Sequence, residues 1–249
     1  MIDVSIIIPC FNSQNLIESR VEEVEAVMSC TKWTWEILLC DDGSLDQTAA
    51  VCQRLAERSE KIRFFPNPVN RGRGKNVSVG ILASQSQIVG FIDADSSTAA
   101  AYLVPVIQVI ESGCDLAEAQ RNYKIWIRHL PYIFDRLSAH IVYAWLVRLL
   151  LGMGRHDTES GFKFFKRDVA MKLMPLTHAT GWFWDTEVIA NAHASGYCVA
   201  EVPSLFVRPK GMSSTVRLAH DSWVQFFSLI RYARTRKNCS LQGRCCREN

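Results

Sequence analysis

The chain has 249 residues, of which 48% are hydrophobic and 21% charged, and a formal net charge of +3 at pH 7. This composition excludes disordered, collagen-like and coiled-coil proteins, and the length is sufficient for a sizeable hydrophobic core. The small excess of positive charge gives no argument for binding nucleic acid.

The first hundred residues alternate between short apolar runs rich in β-branched residues and stretches with apolar residues at helical spacing. Strands are predicted over 4–8, 36–40, 62–65 and 88–92, and helices over 14–28, 46–58 and 76–83. This alternation predicts an α/β fold with a Rossmann-like, mostly parallel central sheet flanked by helices. Such sheets bind ligands beyond the carboxyl ends of their strands, where the charged and glycine-rich turns of this region lie.

The second half of the chain is less regular. Helices are predicted over 99–111, 131–151, 183–194 and 219–236, and strands near 115–119 and within 197–207. Because no repeat or linker separates the halves, we expect one domain over 1–218, followed by an amphipathic basic helix and tail over 219–249. The first part of the domain would bind a nucleotide, and the second part would form the side of the site that binds the acceptor.

A pair of carboxylates, Asp93 and Asp95, directly follows the predicted strand at 88–92. Both can face one divalent cation at the mouth of the sheet, and hard oxygen ligands favour Mg²⁺ or Mn²⁺. Such a metal would offset the charge that develops on a leaving diphosphate. The alternative is an ordinary turn that caps the following helix.

Two further polar turns follow predicted strands. The turn at 41–44, Asp-Asp-Gly-Ser, offers a carboxylate to a base or a ribose hydroxyl, although such a tetrapeptide is also common in ordinary turns. The loop at 70–75 places three cations on a flexible loop before a helix N-terminus, which suits phosphate. This loop does not match the dinucleotide-binding fingerprint, because Val77 stands at the third glycine position.

Six segments in this order resemble the inverting family 2 glycosyltransferases of the GT-A fold, and within them the dolichyl- or polyprenyl-phosphate sugar synthases. The segment at 157–165 is most similar to the dolichyl-phosphate beta-glucosyltransferase branch. The resemblance covers roughly residues 4–217. The matching segments are SIIIPCFNS at 5–13, DDGSLD at 41–46, NRGRGKNVSVG at 70–80, DADSST at 93–98, DTESGFKFF at 157–165 and WFWDTEVI at 182–189.

The resemblance implies roles for individual residues. Asp93 and Asp95 would bind the metal together with the donor diphosphate, and Arg121 and Arg136 would bind an acceptor phosphate. The alternative for each of these two arginines is a surface ion pair. The donor nucleoside and diphosphate would be held by Pro9, Asn12, Asp41, Asp42 and Arg73.

The sequence departs from the family pattern at four positions. Ser13 replaces the usual Glu, Lys75 and Asn76 replace small residues, and Ser160 replaces the Cys of the glucosyl branch. None of these changes removes a proposed metal ligand. They leave open the sugar and the base of the donor.

The resemblance implies a metal-dependent inverting transferase. It would move a hexose from a nucleotide diphosphate sugar, of the UDP-glucose or GDP-mannose type, to a polyprenyl or dolichyl phosphate at the cytoplasmic membrane face. A lipid phosphate is already anionic, so the site chiefly needs cations to hold it. With a hydroxyl acceptor the enzyme would need a general base, for which Asp185 and Asp157 are the candidates. A catalytically silent scaffold is a further alternative.

The end of the chain is basic. Six basic residues and one acid lie between Arg231 and the C-terminus, and Trp223, Phe226, Phe227 and Ile230 share one face of the predicted last helix. An apolar stripe with basic flanks binds anionic membrane surfaces, although such stripes also pack within a fold. The helix at 131–151 also mixes aromatic, aliphatic and basic residues. We therefore expect a protein peripheral to the membrane.

No window reaches the ~18 uninterrupted apolar residues of a membrane-spanning helix. The first residues carry no basic segment, so we expect no signal peptide. Nine cysteines form no Cys-x-x-Cys pair, which indicates reduced thiols and a cytoplasmic location. The oligomeric state stays open.

Overall fold

The computed structural model describes residues 2–123, 142–153, 158–207 and 218–241. Within these ranges, seven strands form one sheet in the order β3-β2-β1-β4-β6-β5-β7. The strands are β1 (Val4–Cys10), β2 (Trp35–Asp42), β3 (Ile62–Asn67), β4 (Ile88–Ile92), β5 (Leu116–Tyr123), β6 (Phe162–Lys166) and β7 (Val199–Phe206).

The first four strands are parallel to one another. Strands β2 and β4 are continuous runs of buried residues, and β1 is buried except at Pro9, as expected for parallel strands covered on both faces. The predicted α/β class and mostly parallel sheet are confirmed. Strand β6 is the exception, because it runs antiparallel to both β4 and β5, while β5 and β7 pair in parallel.

No strand is predicted over Phe162–Lys166, where β6 lies. Its two lysines interrupt an otherwise apolar run. Because β6 is antiparallel, it begins at the edge of the sheet where β4 ends, with Ile92 paired to Phe162. The segment just before β6 therefore lies beside Asp93.

The described residues form eight helices, of which seven correspond to predicted helices with shifted bounds, whereas the helix over Arg167–Leu173 was not predicted. They are α1 (Ile17–Ser29), α2 (Thr48–Arg58), α3 (Arg73–Ala83), α4 (Leu103–Glu111), α5 (142–151), α6 (Arg167–Leu173), α7 (Trp184–Ala194) and α8 (Leu218–Leu241). Short 3₁₀ turns at Ala100–Tyr102 and Met174–Leu176 precede α4 and follow α6. Of the helix predicted over 131–151, the part at 131–141 lies outside the described residues.

The start of α3 corrects one prediction. Arg73 and Lys75 belong to the first turn of this helix and not to a flexible loop before it. Glycine is needed at position 74 because Trp184 of α7 packs directly against it. A Cβ at this position would overlap the Trp184 side chain. The helix therefore fixes the backbone of Arg73, which a loop would not.

The two faces of the sheet are covered by different helices. Ile6 and Ile8 of β1 belong to a core that includes Val24 of α1 and Ile107 of α4. Ile7 points to the opposite face, where Gly80 of α3 lies against it. This alternation follows from the two-residue period of a strand.

The chain forms two compact units. The first comprises Met1–Lys124 and Glu159–Met212, and the second comprises Ile125–Thr158 and Ser213–Asn249. In the second unit, Arg236 of α8 donates to the carbonyl of Leu151 at the end of α5, at 3.4 Å. The predicted boundary between 218 and 219 stays a prediction. None of the helices among the described residues is long and apolar enough to cross a membrane.

Candidate active site

The candidate site lies at one edge of the sheet, where β1, β2 and β4 end. The register pairs Cys10 with Asp41 and Asp42 with Asn67. Asp93 follows β4 at the same edge. The polar turns that the sequence placed after separate strands therefore share one edge, as predicted for parallel strands.

The turn after β2 is closed by its own side chains. Asp41 is buried, and its carboxylate accepts hydrogen bonds from the hydroxyl and from the backbone N–H of Ser44. Asn12 accepts a bond from the N–H of Leu45 at 2.9 Å and has a positive φ of 49°. Pro9 lies one residue before the end of β1. These contacts rigidify the turn that the resemblance assigns to the nucleoside.

Asp42 holds the loop that leads to α3. Its two carboxylate oxygens accept the N–H groups of Arg71 and Gly72 at 2.8 and 2.9 Å. Burial raises the pKa of Asp42, and these two hydrogen bonds oppose that shift. The described contacts of Asp42 thus hold the loop in place and thereby position the helix α3 that follows it.

Arg73 joins two carboxylates that are far apart in the sequence. Its Nη2 lies 2.7 Å from Asp93 Oδ1, and its Nη1 lies 2.6 Å from Asp185 Oδ2. The guanidinium also lies over the rings of Phe91 and Trp182, at 5.0 and 5.1 Å from their centroids. Burial alone would lower the pKa of Arg73, but Asp185 and Asp93 outweigh it and raise the pKa. The planar fork of arginine suits such a bridge.

Asp93 is held by its backbone and by Arg73. Its N–H donates to the carbonyl of Gly161 at 3.0 Å. Burial is the largest influence on the Asp93 carboxyl group and raises its pKa, although Arg73 opposes the shift; Asp95 adds to the increase. Asp95 accepts the N–H of Ser97 at 3.0 Å. Because Arg73 also pairs with Asp185, its one positive charge does not offset the negative charge of Asp93 and Asp95.

Asp185 connects the site to a second cation, which is buried. Lys163 of β6 is fully buried, and its Nζ lies 3.2 Å from Asp185 Oδ1 and 3.4 Å from Glu118 Oε2. The same Nζ donates to the carbonyl of Ser160. Both oxygens of Asp185 are thus engaged by cations, one by Lys163 and the other by Arg73.

Glu118, Lys163 and Gly161 are structural parts of the site that the sequence analysis missed. The available clue was the polarity of Glu118 and Lys163 inside apolar runs, since buried charges are rarely found without a partner. Glu118 and Lys163 are direct neighbours across β5 and β6. Locating them required the order of the strands, which local sequence patterns do not give.

The predicted acceptor residues are only partly described. Arg121 at the end of β5 makes an ion pair with Glu159 at 3.4 Å and lies over the ring of Phe206. The alternative interpretation of Arg121, as a partner in an ion pair, therefore agrees with the observed pair. Arg136 and Asp157 lie outside the described residues.

The donor set of the Asp93 and Asp95 pair fits a divalent cation. Carboxylate oxygens are hard ligands, and the negative charge of this half-buried pair favours a cation such as Mg²⁺ or Mn²⁺. In the described part of the chain, no cluster of three or more His, Cys, Asp or Glu residues could hold a metal. Two protein ligands are compatible with a metal that also binds phosphate oxygens and water.

Comparison with known proteins agrees with this geometry. The family described as glycosyl transferase family 2 matches residues 5–174. Glycosyltransferase AglD of Haloferax volcanii is 29% identical over 225 residues, which are 88% of this chain and 35% of AglD. The dolichyl-phosphate beta-glucosyltransferase ALG5D of Trichomonas vaginalis is 28% identical over 218 residues, which are 80% of this chain and 64% of that protein. The chain thus spans less than two thirds of either relative.

A solved structure shows the same fold. Glucosyl-3-phosphoglycerate synthase from Mycobacterium tuberculosis, crystallised with Mg²⁺ and uridine diphosphate, superposes with a TM-score of 0.68 at 20% sequence identity. The match covers 92% of this chain and 79% of that chain. The predicted GT-A fold is therefore confirmed.

Proposed function

Because the chain belongs to glycosyl transferase family 2, we propose that it transfers a hexose, with inversion, from a nucleotide diphosphate sugar to a polyprenyl or dolichyl phosphate at the cytoplasmic membrane face. The family membership confirms the resemblance to family 2, and the matched residues 5–174 contain five of the six segments. Several similar proteins are named dolichyl-phosphate beta-glucosyltransferases, which supports glucose as the sugar and a lipid phosphate as the acceptor.

The donor would lie along the edge formed by β1, β2 and β4. The turn at 41–45, with Asn12, Pro9 and Asp41, would hold the nucleoside. Arg73 stands at the N-terminus of α3, where a helix favours phosphate groups. Asp42 would act on the donor through the loop that it holds. Either uracil or guanine could be the base, since a carboxylate accepts N–H groups from both.

Asp93 and Asp95 would hold the divalent cation. When bound, the metal would offset the charge that develops on the leaving diphosphate. Arg73, the neighbour of Asp93, would also contact the diphosphate. Its bond to Asp185 orients the guanidinium before the donor arrives.

The acceptor side requires cations and no general base. A phosphate monoester is already anionic at neutral pH, so Arg121 and Arg136 would hold it and remove water from it. Asp185 would be a positioning residue, since both of its oxygens already accept bonds from Arg73 and Lys163. This arrangement supports the phosphate acceptor over the hydroxyl acceptor.

The second unit would bind the membrane surface. On α5, Val142, Trp145 and Leu149 are exposed at helical spacing, whereas Tyr143, Val147 and Leu151 are buried. On α8, Trp223, Val224 and Phe227 are exposed, and the Trp223 and Phe227 rings stack with centroids 5.8 Å apart. Exposed aromatic residues of this kind bind at bilayer interfaces.

Exposed Arg231 and Arg234 follow these aromatic residues on α8 and would attract anionic lipids. We propose that residues 219–249 serve mainly this attachment, and that residues 1–218 form the glycosyltransferase domain.

The observation that carries the proposed function is the position of Asp93 and Asp95 directly after β4, where Arg73 pairs with Asp93. The test uses the full chain with UDP-glucose or GDP-mannose, and with a short polyprenyl phosphate or the matching free polyprenol. We expect transfer to the lipid phosphate only, and loss of transfer with a chelator. Equal transfer to the free polyprenol would overturn the acceptor assignment. Failure to use any donor would support the silent scaffold.

A further inference from the structure

Two cysteine side chains touch at the edge of the sheet opposite the candidate site. Cys114 lies between α4 and β5, and Cys198 directly precedes β7. Their sulfur atoms are 2.8 Å apart, and both thiols are free. A disulfide bond of about 2.05 Å would need the sulfur atoms to approach by less than ~1 Å.

The backbone holds the two cysteines together independently of their sulfur atoms. The N–H groups of Asp115 and Leu116 donate to the carbonyl of Cys198 at 3.1 and 3.0 Å. In return, the N–H of Cys198 donates to the Asp115 carboxylate at 3.0 Å. Strands β5 and β7 then pair from Leu116 and Val199 onward. The backbones of the two cysteines therefore cannot separate without opening the start of this strand pair.

The two cysteine residues differ in their exposure to solvent. Cys198 is exposed, whereas Cys114 is only 8% exposed. Burial, and then the contact with Cys198, raise the pKa of the Cys114 thiol to about 11. Cys198 is therefore the thiol that an external reagent reaches first, and Cys114 is placed to react with the product.

We propose that Cys114 and Cys198 are a modification site that closes to a disulfide when the protein meets a small-molecule disulfide of the glutathione type. The Cys198 thiolate attacks this oxidant, forms a mixed disulfide and releases one small thiolate. The Cys114 sulfur then loses its proton and attacks the Cys198 sulfur, which releases the second small thiolate. The protein loses two electrons and two protons, and the oxidant is reduced to two thiols.

The disulfide would join residues that are 84 positions apart in the sequence and would fasten the start of β7 to the sheet. A crosslink over so long a loop restricts the unfolded chain, so we expect the Tm of the oxidised protein to rise by about 5 °C or more. This site lies at the amino ends of β5 and β7, and its test is independent of the proposed function.

The test treats the reduced full chain with glutathione disulfide and maps the alkylated peptides by mass spectrometry. We expect a peptide pair linked through Cys114 and Cys198, together with the rise in Tm. Cys198→Ser should abolish both, whereas Cys30→Ser, at an exposed cysteine remote from the pair in sequence, should abolish neither. Comparing the Tm of the reduced variants with that of the reduced wild type checks that the fold is intact.

Two outcomes would overturn the proposal. One is a stable mixed disulfide on Cys198 while Cys114 remains free to react with the alkylating reagent. The other is a link from either cysteine to a different cysteine. Should Cys198→Ser fold poorly, the peptide map of the wild type alone still decides between these outcomes.

Discussion

The Gly161 backbone lies directly against the Asp93 carboxylate. The carbonyl of Gly161 accepts the N–H of Asp93 at 3.0 Å, and a Cβ on Gly161 would overlap Asp93 Oδ2. This contact exists because β6 runs antiparallel to β4 and begins where β4 ends. The segment before β6 therefore packs against the Asp93 carboxylate and restricts the side-chain rotamer of this proposed metal ligand.

Gly161→Ala should impair the site while leaving the fold intact. The added methyl group must displace the Asp93 carboxylate, and a misplacement of about 1 Å at a reacting centre costs roughly 100-fold in rate. We expect at least a tenfold loss of transfer, or of donor hydrolysis, in steady-state assays. Gly181→Ala is the matched control, because nothing lies near a Cβ at that position. Equal activity of the two variants would show that Gly161 does not position Asp93.

Lys163→Met should destabilise the protein. Lys163 is fully buried between the carboxylates of Glu118 and Asp185, so its loss leaves buried negative charge without its cation. Breaking a buried ion pair from one side costs about 3–5 kcal/mol in the free energy of unfolding, which urea titration would measure.

Two companion variants separate this effect from a general loss of lysine. Lys166→Met, on the same strand, removes a partly exposed ion pair with Asp115 and should cost less than about 1 kcal/mol. Adding Glu118→Gln to Lys163→Met should restore part of the stability, because one uncompensated charge is removed. A Lys163→Met variant as stable as the wild type would show that Lys163 is not needed to compensate the buried carboxylates.

Asp42→Asn should change how stability depends on pH. Burial raises the pKa of Asp42 in the native state above its ordinary value of 3.8, so the native state binds the proton more tightly than the unfolded chain. The contribution of Asp42 to the unfolding free energy therefore falls as the pH rises from 3.8 through the native pKa.

The asparagine variant lacks this titration. The variant should therefore gain stability relative to the wild type across that pH window, and the difference should be constant above it. Urea titrations from about pH 4 to pH 7 measure the difference. Asp168→Asn, at an exposed carboxylate on α6, controls for the loss of one charge. A difference that moves in the opposite direction would contradict the cause assigned to the pKa shift.

Replacing two aromatic residues on α8 should release the protein from membranes. Trp223 and Phe227 are more than half exposed, so Trp223→Ser/Phe227→Ser should leave the fold intact. Each such side chain gains about 1.5–3 kcal/mol on burial, so we expect binding to vesicles with anionic lipids to weaken at least tenfold. Cosedimentation measures this, and Leu82→Ser, at an exposed apolar residue on α3, is the control. Unchanged binding would place the membrane contact elsewhere.

The sequence was sufficient to predict the parallel strands and the turns that end them. The alternation of buried strands and amphipathic helices is a local pattern, and it placed Asp41 and Asp93 at one edge. It could not predict that Arg73 bridges Asp93 and Asp185, because that bridge depends on the packing of α7 against α3. The start of α3 was misplaced for the same reason, since Gly74 stands within the helix where its missing Cβ makes room for Trp184 of α7.

Metal binding by the Asp93 and Asp95 pair is the central claim, and titration of Mn²⁺ in the presence of a nucleoside diphosphate tests it most directly. Electron paramagnetic resonance counts the free Mn²⁺, with UDP and GDP tried in turn. We predict one bound Mn²⁺ per wild-type chain and at least a tenfold weaker affinity for Asp95→Asn, while Asp168→Asn binds like the wild type. Undiminished, nucleotide-dependent Mn²⁺ binding by Asp95→Asn would contradict the claim.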